Sequence, residues 1–277
     1  MLEMLSSLLS KVFIQRALIV GTLVALCAAL LGVSLVLKRF SMIGDGLSHV
    51  GFGAMAVALA LGAAPMAVAM PVVIVAAVFL LRLSQNRRMG GDSAIALVSS
   101  SALALGVIET SLSSGSNIDV NNYLFGSILT MTGSDVTLSV ILSAVVILLF
   151  LLLYHRIFAI TFDESFARAT GIRVDLYNMA LALLTAVTIV IGMRLMGALL
   201  ISSLIIFPAL SAMRVSHSFR GVVLGSALIS VLCFWLGVVA SFVFATPTGA
   251  SVVVADLAEF LLLSLVQFIQ ERVRRPN

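Results

Sequence analysis

Nine apolar runs, at 14–37, 47–61, 66–83, 94–112, 136–153, 176–191, 195–213, 222–244 and 252–268, follow one another along the 277-residue chain with only short polar breaks. Crossing a hydrocarbon core of about 30 Å takes about 20 helical residues, and most of these runs approach that length. No water is available there, so the backbone groups of each run must pair within the segment. Each is therefore a helix, or a broken helix shielded by its neighbours. The fold class this dictates is all-α, a polytopic transmembrane helical bundle of eight or nine spans. Composition agrees, with 61% hydrophobic and 10% charged residues, against about 25% charged in soluble domains. No fixed-period repeat or separate soluble segment interrupts the pattern, and 1–277 reads as one membrane domain.

Charge orients the spans. Lys38 and Arg39; Arg82, Arg87 and Arg88; Arg156, Arg168 and Arg173; Arg214 and Arg220; and Arg272, Arg274 and Arg275 account for 13 of the 16 Lys and Arg residues, and they fall in alternate breaks. The breaks between them, 62–65, 113–134 and 245–251, carry none. The positive-inside rule places the basic breaks in the cytoplasm, and parity puts the C-terminus inside and the N-terminus outside. Lys11 and Arg16 sit against this at the start; if the first run is only interfacial, the count is eight. The net charge of +4 reflects this loop pattern and gives no footprint for nucleic acid. The opening MLEMLSSLLS lacks a cationic leader and a small-residue cleavage site, so no removable signal peptide is expected. Cys27 and Cys233 lie inside apolar runs without metal-type spacing and read as small buried hydrophobes.

Within the runs, Pro71 and Pro208 free carbonyls that kink a helix or open a binding position. Arg194 is followed by GALLISSLIIFPALSAMR with almost no connecting loop, which implies a sharp or partly re-entrant turn. The chemistry available is narrow. There is no GxxxxGK[ST] phosphate loop, no HExxH pair and no GxSxG elbow. The chain is therefore not expected to be an enzyme, and any ATP must be bound by a partner subunit.

Transport remains. Asp45 and His49, four residues apart in MIGDGLSHVGFGAM, share one helix face at the head of an apolar segment. Ionisable groups are costly at a membrane edge and usually functional there, and a carboxylate with an imidazole suits zinc, manganese or ferrous iron. The structural alternative is that Asp45 caps its helix or meets the helix dipole while His49 makes one interhelical hydrogen bond. Glu109, Asp256 and Glu259 are further pathway candidates. Asp256 and Glu259 share a face of the last run, and pairing with Arg194 would neutralise one of them. His155 and His217 read as solvated loop histidines. FDESFARATGIRVD, at 162–175, differs from the other inner breaks. It has an acidic start at Asp163 and Glu164, a short amphipathic helix with Phe166 and Ala169 on one side, and a stop at Gly171. Such a helix is what a permease needs to dock into a motor subunit; the alternative is an interfacial linker.

The chain resembles the permease subunits of ATP-binding-cassette importers of zinc, manganese or iron, over nearly its whole length. LKRFSMIGDGLSHVGFGAMAVALALG, with an Asp-x-x-Ser-His core at Asp45, Ser48 and His49, is similar to that family's segment after the first span. GDSAIALVSSSALALGV, NNYLFGSIL, FDESFARATGIRVDLYN and GALLISSLIIFPALSA are similar to further blocks in the same order. Departures fall at Gly46, Val50 and Gly51, and at Asp256 and Glu259, where the family is mostly apolar.

The resemblance implies a type II-like importer permease in the bacterial cytoplasmic membrane, with no intrinsic cofactor. It carries Zn2+ or Mn2+, with Fe2+ as the third candidate. Its implied partners are a second copy of itself, a cytoplasmic ATPase and an extracytoplasmic metal-binding protein. Asp45 and His49 become transient metal contacts, and 163–171 the helix coupled to the ATPase. Two other readings compete: a secondary transporter using Asp45, Glu109 and Asp256 as coupling carboxylates, and an importer of a metal chelate or cobalamin.

Overall fold

The computed structural model describes residues 12–84, 91–112 and 133–274. Lys11, Arg87, Arg88, Arg275 and the NNYLFGSIL block lie outside the described residues. Among the described residues, ten helices follow in chain order: α1 (Val12–Leu37), α2 (Ile43–Ala60), α3 (Pro65–Ser84), α4 (Gly91–Leu112), α5 (Gly133–Phe162), α6 (Glu164–Ala169), α7 (Val174–Met196), α8 (Ala198–Val215), α9 (Phe219–Phe244) and α10 (Thr248–Arg274). Among the described residues, eight helices are long and apolar enough to cross a membrane, and the apolar part of α8, Leu200–Val215, is shorter. Against the expectation of eight or nine, the described residues thus hold eight helices of spanning length and one short apolar helix.

The joint between α7 and α8 is the tight turn expected there. Gly197 alone separates them, at φ 87° and ψ 161°, a conformation that a Cβ would strain. Pro208 stays inside α8 and Pro71 inside α3, without ending either helix. α5 runs on to Phe162, nine residues beyond the apolar run. There Phe158 and Phe162 meet Phe219 at the start of α9, with ring centroids 5.2 and 5.9 Å apart.

α1 and α2 are the most enclosed spans, 72% and 78% buried, whereas α10 is 11% buried. Leu148, Leu151 and Leu152 on α5, and Leu224, Leu228 and Leu232 on α9, stand exposed. Lipid tails are as apolar as leucine, so helix association depends on close packing and on hydrogen bonds between helices. Both occur along α1. Ser226 and Ser230 of α9 donate to the carbonyls of Ala29 and Ala25, at 3.4 and 3.0 Å. On the other side, an added Cβ at Gly32 would lie 2.1 Å from the Ile205 carbonyl oxygen of α8. α8 is held against α1 at that point, and it also packs on α2 and α10.

This contact predicts that Gly32→Ala lowers the stability of the purified protein by about 1–3 kcal/mol, the usual cost of overpacking, because backbone cannot yield as a side chain can. Thermal unfolding in detergent should show the loss. Gly133→Ala, where nothing lies within 4 Å, should leave the midpoint unchanged.

Candidate functional site

Asp45 stands in the first turn of α2 and His49 one turn later, with His49 Nε2 3.6 Å from Asp45 Oδ1. The N-cap is Met42, which has no side-chain cap hydrogen bond, and Asp45 instead faces the positive end of the helix. Ser48, the third member of the core motif, is buried and donates to its own helix, to the Gly44 carbonyl at 2.7 Å. Its hydroxyl is thereby committed to the backbone. His49 Nδ1 is buried, with no hydrogen-bond partner among the described residues.

The face carrying the pair follows from its neighbours. Gly44 meets Ile205 and Ser202 of α8, whereas Gly46 and Gly53 meet Ile95 and Ala102 of α4. At about 100° per residue, Asp45 and His49 project between these two contacts, into a seam between α4 and α8. The side chains are 33% and 12% exposed respectively.

The other candidate carboxylates are elsewhere. The Gly46–Ile95 and Gly53–Ala102 contacts make α2 and α4 parallel, so Glu109, half-buried on α4, lies about 16 Å farther along the bundle than His49 at about 1.5 Å per residue. Asp256 is fully buried on α10, which packs against α8 and α9. Cys233 of α9 and Glu259 are beside Asp256. Glu259 lies against Ser211 of α8. Arg194 does not reach either of them. It pairs with Asp135 at the start of α5, at 2.8 Å, because α7 packs against α5 and the end of α7 meets the beginning of α5. Among the described residues, no three His, Cys, Asp or Glu side chains gather as a metal site.

At the end of the bundle where α2 begins, α6 is built from local signals. Asp163 is its N-cap and accepts from the Phe166 amide at 2.9 Å. Gly171, at φ 82°, closes it, with Gly171 N–H donating to Arg168 O and Ile172 N–H to Ala167 O, the hydrogen-bond pattern of a Schellman stop. Ala167 packs with Ile160 and Val174. Phe166 and Ala169 share the outward side, and Phe166 is 66% exposed.

Glu164 points back into the bundle. Its Oε1 accepts from Lys38 Nζ and from Asn178 Nδ2, the latter at 3.1 Å. Lys38 Nζ donates also to the Ile160 carbonyl at 3.0 Å and to Asn178 Oδ1 at 2.8 Å. Burial alone would raise the Glu164 pKa, but the hydrogen bonds from Lys38 and Asn178, with the charges of Lys38 and Arg168, outweigh it and hold the carboxyl below its ordinary range. Lys38 and Asn178 were not singled out as site residues from sequence. Lys38 counted only as a loop charge, and Asn178 only closed a family-like block. A lysine abutting the end of a long apolar run was the one signal available.

The chain's relatives agree with this architecture. The ABC 3 transport family matches residues 10–267. The chain belongs to that family. It is 31% identical over 248 residues to a high-affinity zinc uptake system membrane protein, ZnuB, of Haemophilus influenzae, covering 89% of this chain and 94% of the relative. It is 28% identical over 255 residues to the manganese transport system membrane protein MntC of Halalkalibacterium halodurans, covering 92% and 87%. The solved structure of PsaBC from Streptococcus pneumoniae in complex with Fab superposes with a TM-score of 0.84 at 28% identity, covering 94% of each chain. The chain is a multi-pass membrane subunit of an ABC transporter and not itself an enzyme. Family membership selects that reading over the ion-gradient carrier.

The depressed pKa of Glu164 sets a pH window. The ionised form is the one the folded network binds, so its contribution is complete above the ordinary glutamate value of 4.5 and disappears as pH falls through the lower folded value. Hydrogen exchange in α6, corrected for intrinsic rates, should therefore be steady from neutral pH down to that range and rise below it. Glu164→Gln should flatten the acid-side rise.

Proposed function

We propose that this permease passes Zn2+ or Mn2+ along the seam beside α2, at an interface between two copies of the chain, with Asp45 and His49 as transient ligands. The observation that carries the reading is the Asp45–His49 pair itself, with an unpartnered imidazole nitrogen. It lies on a face left open between α4 and α8, in a chain whose relatives are named for zinc and manganese transport.

Two donors from one chain make an incomplete shell for zinc, which takes four ligands in structural sites. That suits a transported ion, which must bind well enough to enter and weakly enough to leave. A second copy facing the seam supplies a further pair while keeping the site open to release. The ion takes the neutral imidazole and the carboxylate. Glu109, about 16 Å farther along, is a second waypoint on the same path. Asp256 and Glu259, which lie behind α8 on α10, do not contact the ion.

The orientation that places the basic breaks in the cytoplasm also places α6 there, facing the partner ATPase. Phe166 is the docking side chain: an exposed aromatic on a capped helix is a rigid apolar anchor. Beside it, Arg168, Gly171, Arg173, Asp175, Leu176 and Met179 help to line an open recess of about 660 Å3 that receives a side chain of the ATPase. A metal-binding protein on the other side delivers the ion. Nucleotide-driven approach of the two ATPases then shifts the permease between outward- and inward-open states, which requires that the ATPase contacts favour one of them.

Reconstituted vesicles carrying the complete importer provide the test. With Asp45→Ala or His49→Ala, uptake of Zn2+ and Mn2+ should fall to background while the assembled complex still hydrolyses ATP; normal uptake in both would overturn the site. Phe166→Asp should release the ATPase during purification, whereas retention with full uptake would remove α6 from the docking role.

A further inference from the structure

Lys38 occupies an unusual position for a lysine. Its side chain is 5% exposed, and its ammonium is shared among three elements: the Ile160 carbonyl at the end of α5, Glu164 on α6 and Asn178 on α7. An ammonium has three donors, and here each has an acceptor. Removing any of them leaves a buried charge short of a partner, which is strongly unfavourable, so these elements and Lys38 move as one body.

The other side of Lys38 leads to the ion site. Lys38 directly follows α1, and Arg39 turns the chain at φ 61°, a left-handed conformation uncommon for a residue with a side chain. Phe40 N–H returns to Leu35 O at 2.8 Å, and Ile43 N–H to Phe40 O at 3.0 Å. The link from Lys38 to the start of α2 is thus a hydrogen-bonded turn with little slack, and Asp45 lies two residues into that helix. α6 itself has a single buried residue, Ala167, so its apolar grip on the bundle is small. The charge-assisted bonds of Glu164, which are stronger than neutral ones, form its part-buried polar tether, beside the exposed Arg168–Asp175 pair at 2.7 Å.

We propose that Lys38 is a positioning residue for transport, binding α6 through Glu164 and carrying its displacement through the Arg39–Phe40 turn into α2, and so to Asp45 and His49. This rests on the assignment of α6 as the ATPase-facing element. Lys38 never touches the ion; it sets whether a movement at α6 is felt where the ion sits.

The test uses the whole importer in proteoliposomes and reads three quantities together: ATPase retained, ATP hydrolysed, and Mn2+ or Zn2+ taken up. Lys38→Met keeps the stem but removes the charge. It should leave ATPase retention and hydrolysis near wild type while lowering ions carried per ATP by about tenfold, within the range that substitutions along a coupling network produce. Glu164→Gln should lower the ratio in the same direction, and Lys38→Met with Glu164→Gln should be no worse than Lys38→Met alone, as expected of two groups in one link. If Lys38→Met does not assemble, the ratio measured for Glu164→Gln decides. An unchanged ratio in either variant, or a parallel fall of hydrolysis and uptake, overturns the proposal and leaves Lys38 a purely structural residue. Phe166→Asp separates the two levels. Full retention of the ATPase in that variant overturns the docking assignment, whereas its release together with a normal ratio for Lys38→Met overturns the Lys38 link alone.

Discussion

The absence of water from the hydrocarbon layer governs this structure more than any single contact. It makes the spans helical, because backbone groups there must pair within the segment. It also removes the hydrophobic drive for one helix to prefer another over lipid. What remains is shape and a few hydrogen bonds: the backbone approach at Gly32 and the serine donors of α9 on α1. α1 lies at the centre of the bundle because it offers such contacts on several sides, packing against α5, α7, α8 and α9.

The same solvent explains where the ionisable groups sit. α5 and α7 are joined by charged groups at both of their ends. Asp135 meets Arg194 where α5 starts and α7 finishes. Lys38 meets Ile160 O and Asn178 where α5 finishes and α7 starts. Arg194 and Asn178 lie 16 residues apart on α7, about 24 Å at about 1.5 Å per residue, which is most of the thickness of the apolar layer. On α7 the length between the two fastenings, residues 179–193, carries no charged residue. Asp45 and His49 differ from both, since their closest approach to each other is 3.6 Å and His49 keeps a nitrogen unused. A pair with capacity to spare is what a passing cation requires.

A division of labour follows for α6. Its two carboxylates serve the permease itself, Asp163 as the cap and Glu164 as the acceptor for Lys38. Phe166 and Ala169 remain exposed on its outward side. The acidic start of the FDESFARATGIRVD stretch therefore forms and anchors the helix.

Run lengths and loop charges were enough to establish an all-helical membrane bundle, and i,i+4 spacing was enough to put Asp45 and His49 on one face, because both depend on helix geometry and the bilayer alone. The N-cap at Asp163 and the stop at Gly171 were legible for the same reason: capping is a local hydrogen-bond problem. Partners across the fold were not. Sequence suggested Asp256 or Glu259 for Arg194, and tertiary packing gave it Asp135, more than fifty residues upstream. Lys38 read as one more inner-loop charge until α5, α6 and α7 closed around it. Periodicity fixes which residues share a face; only the assembled helices decide what that face meets, because the partners of a buried charge come from segments far apart in the chain.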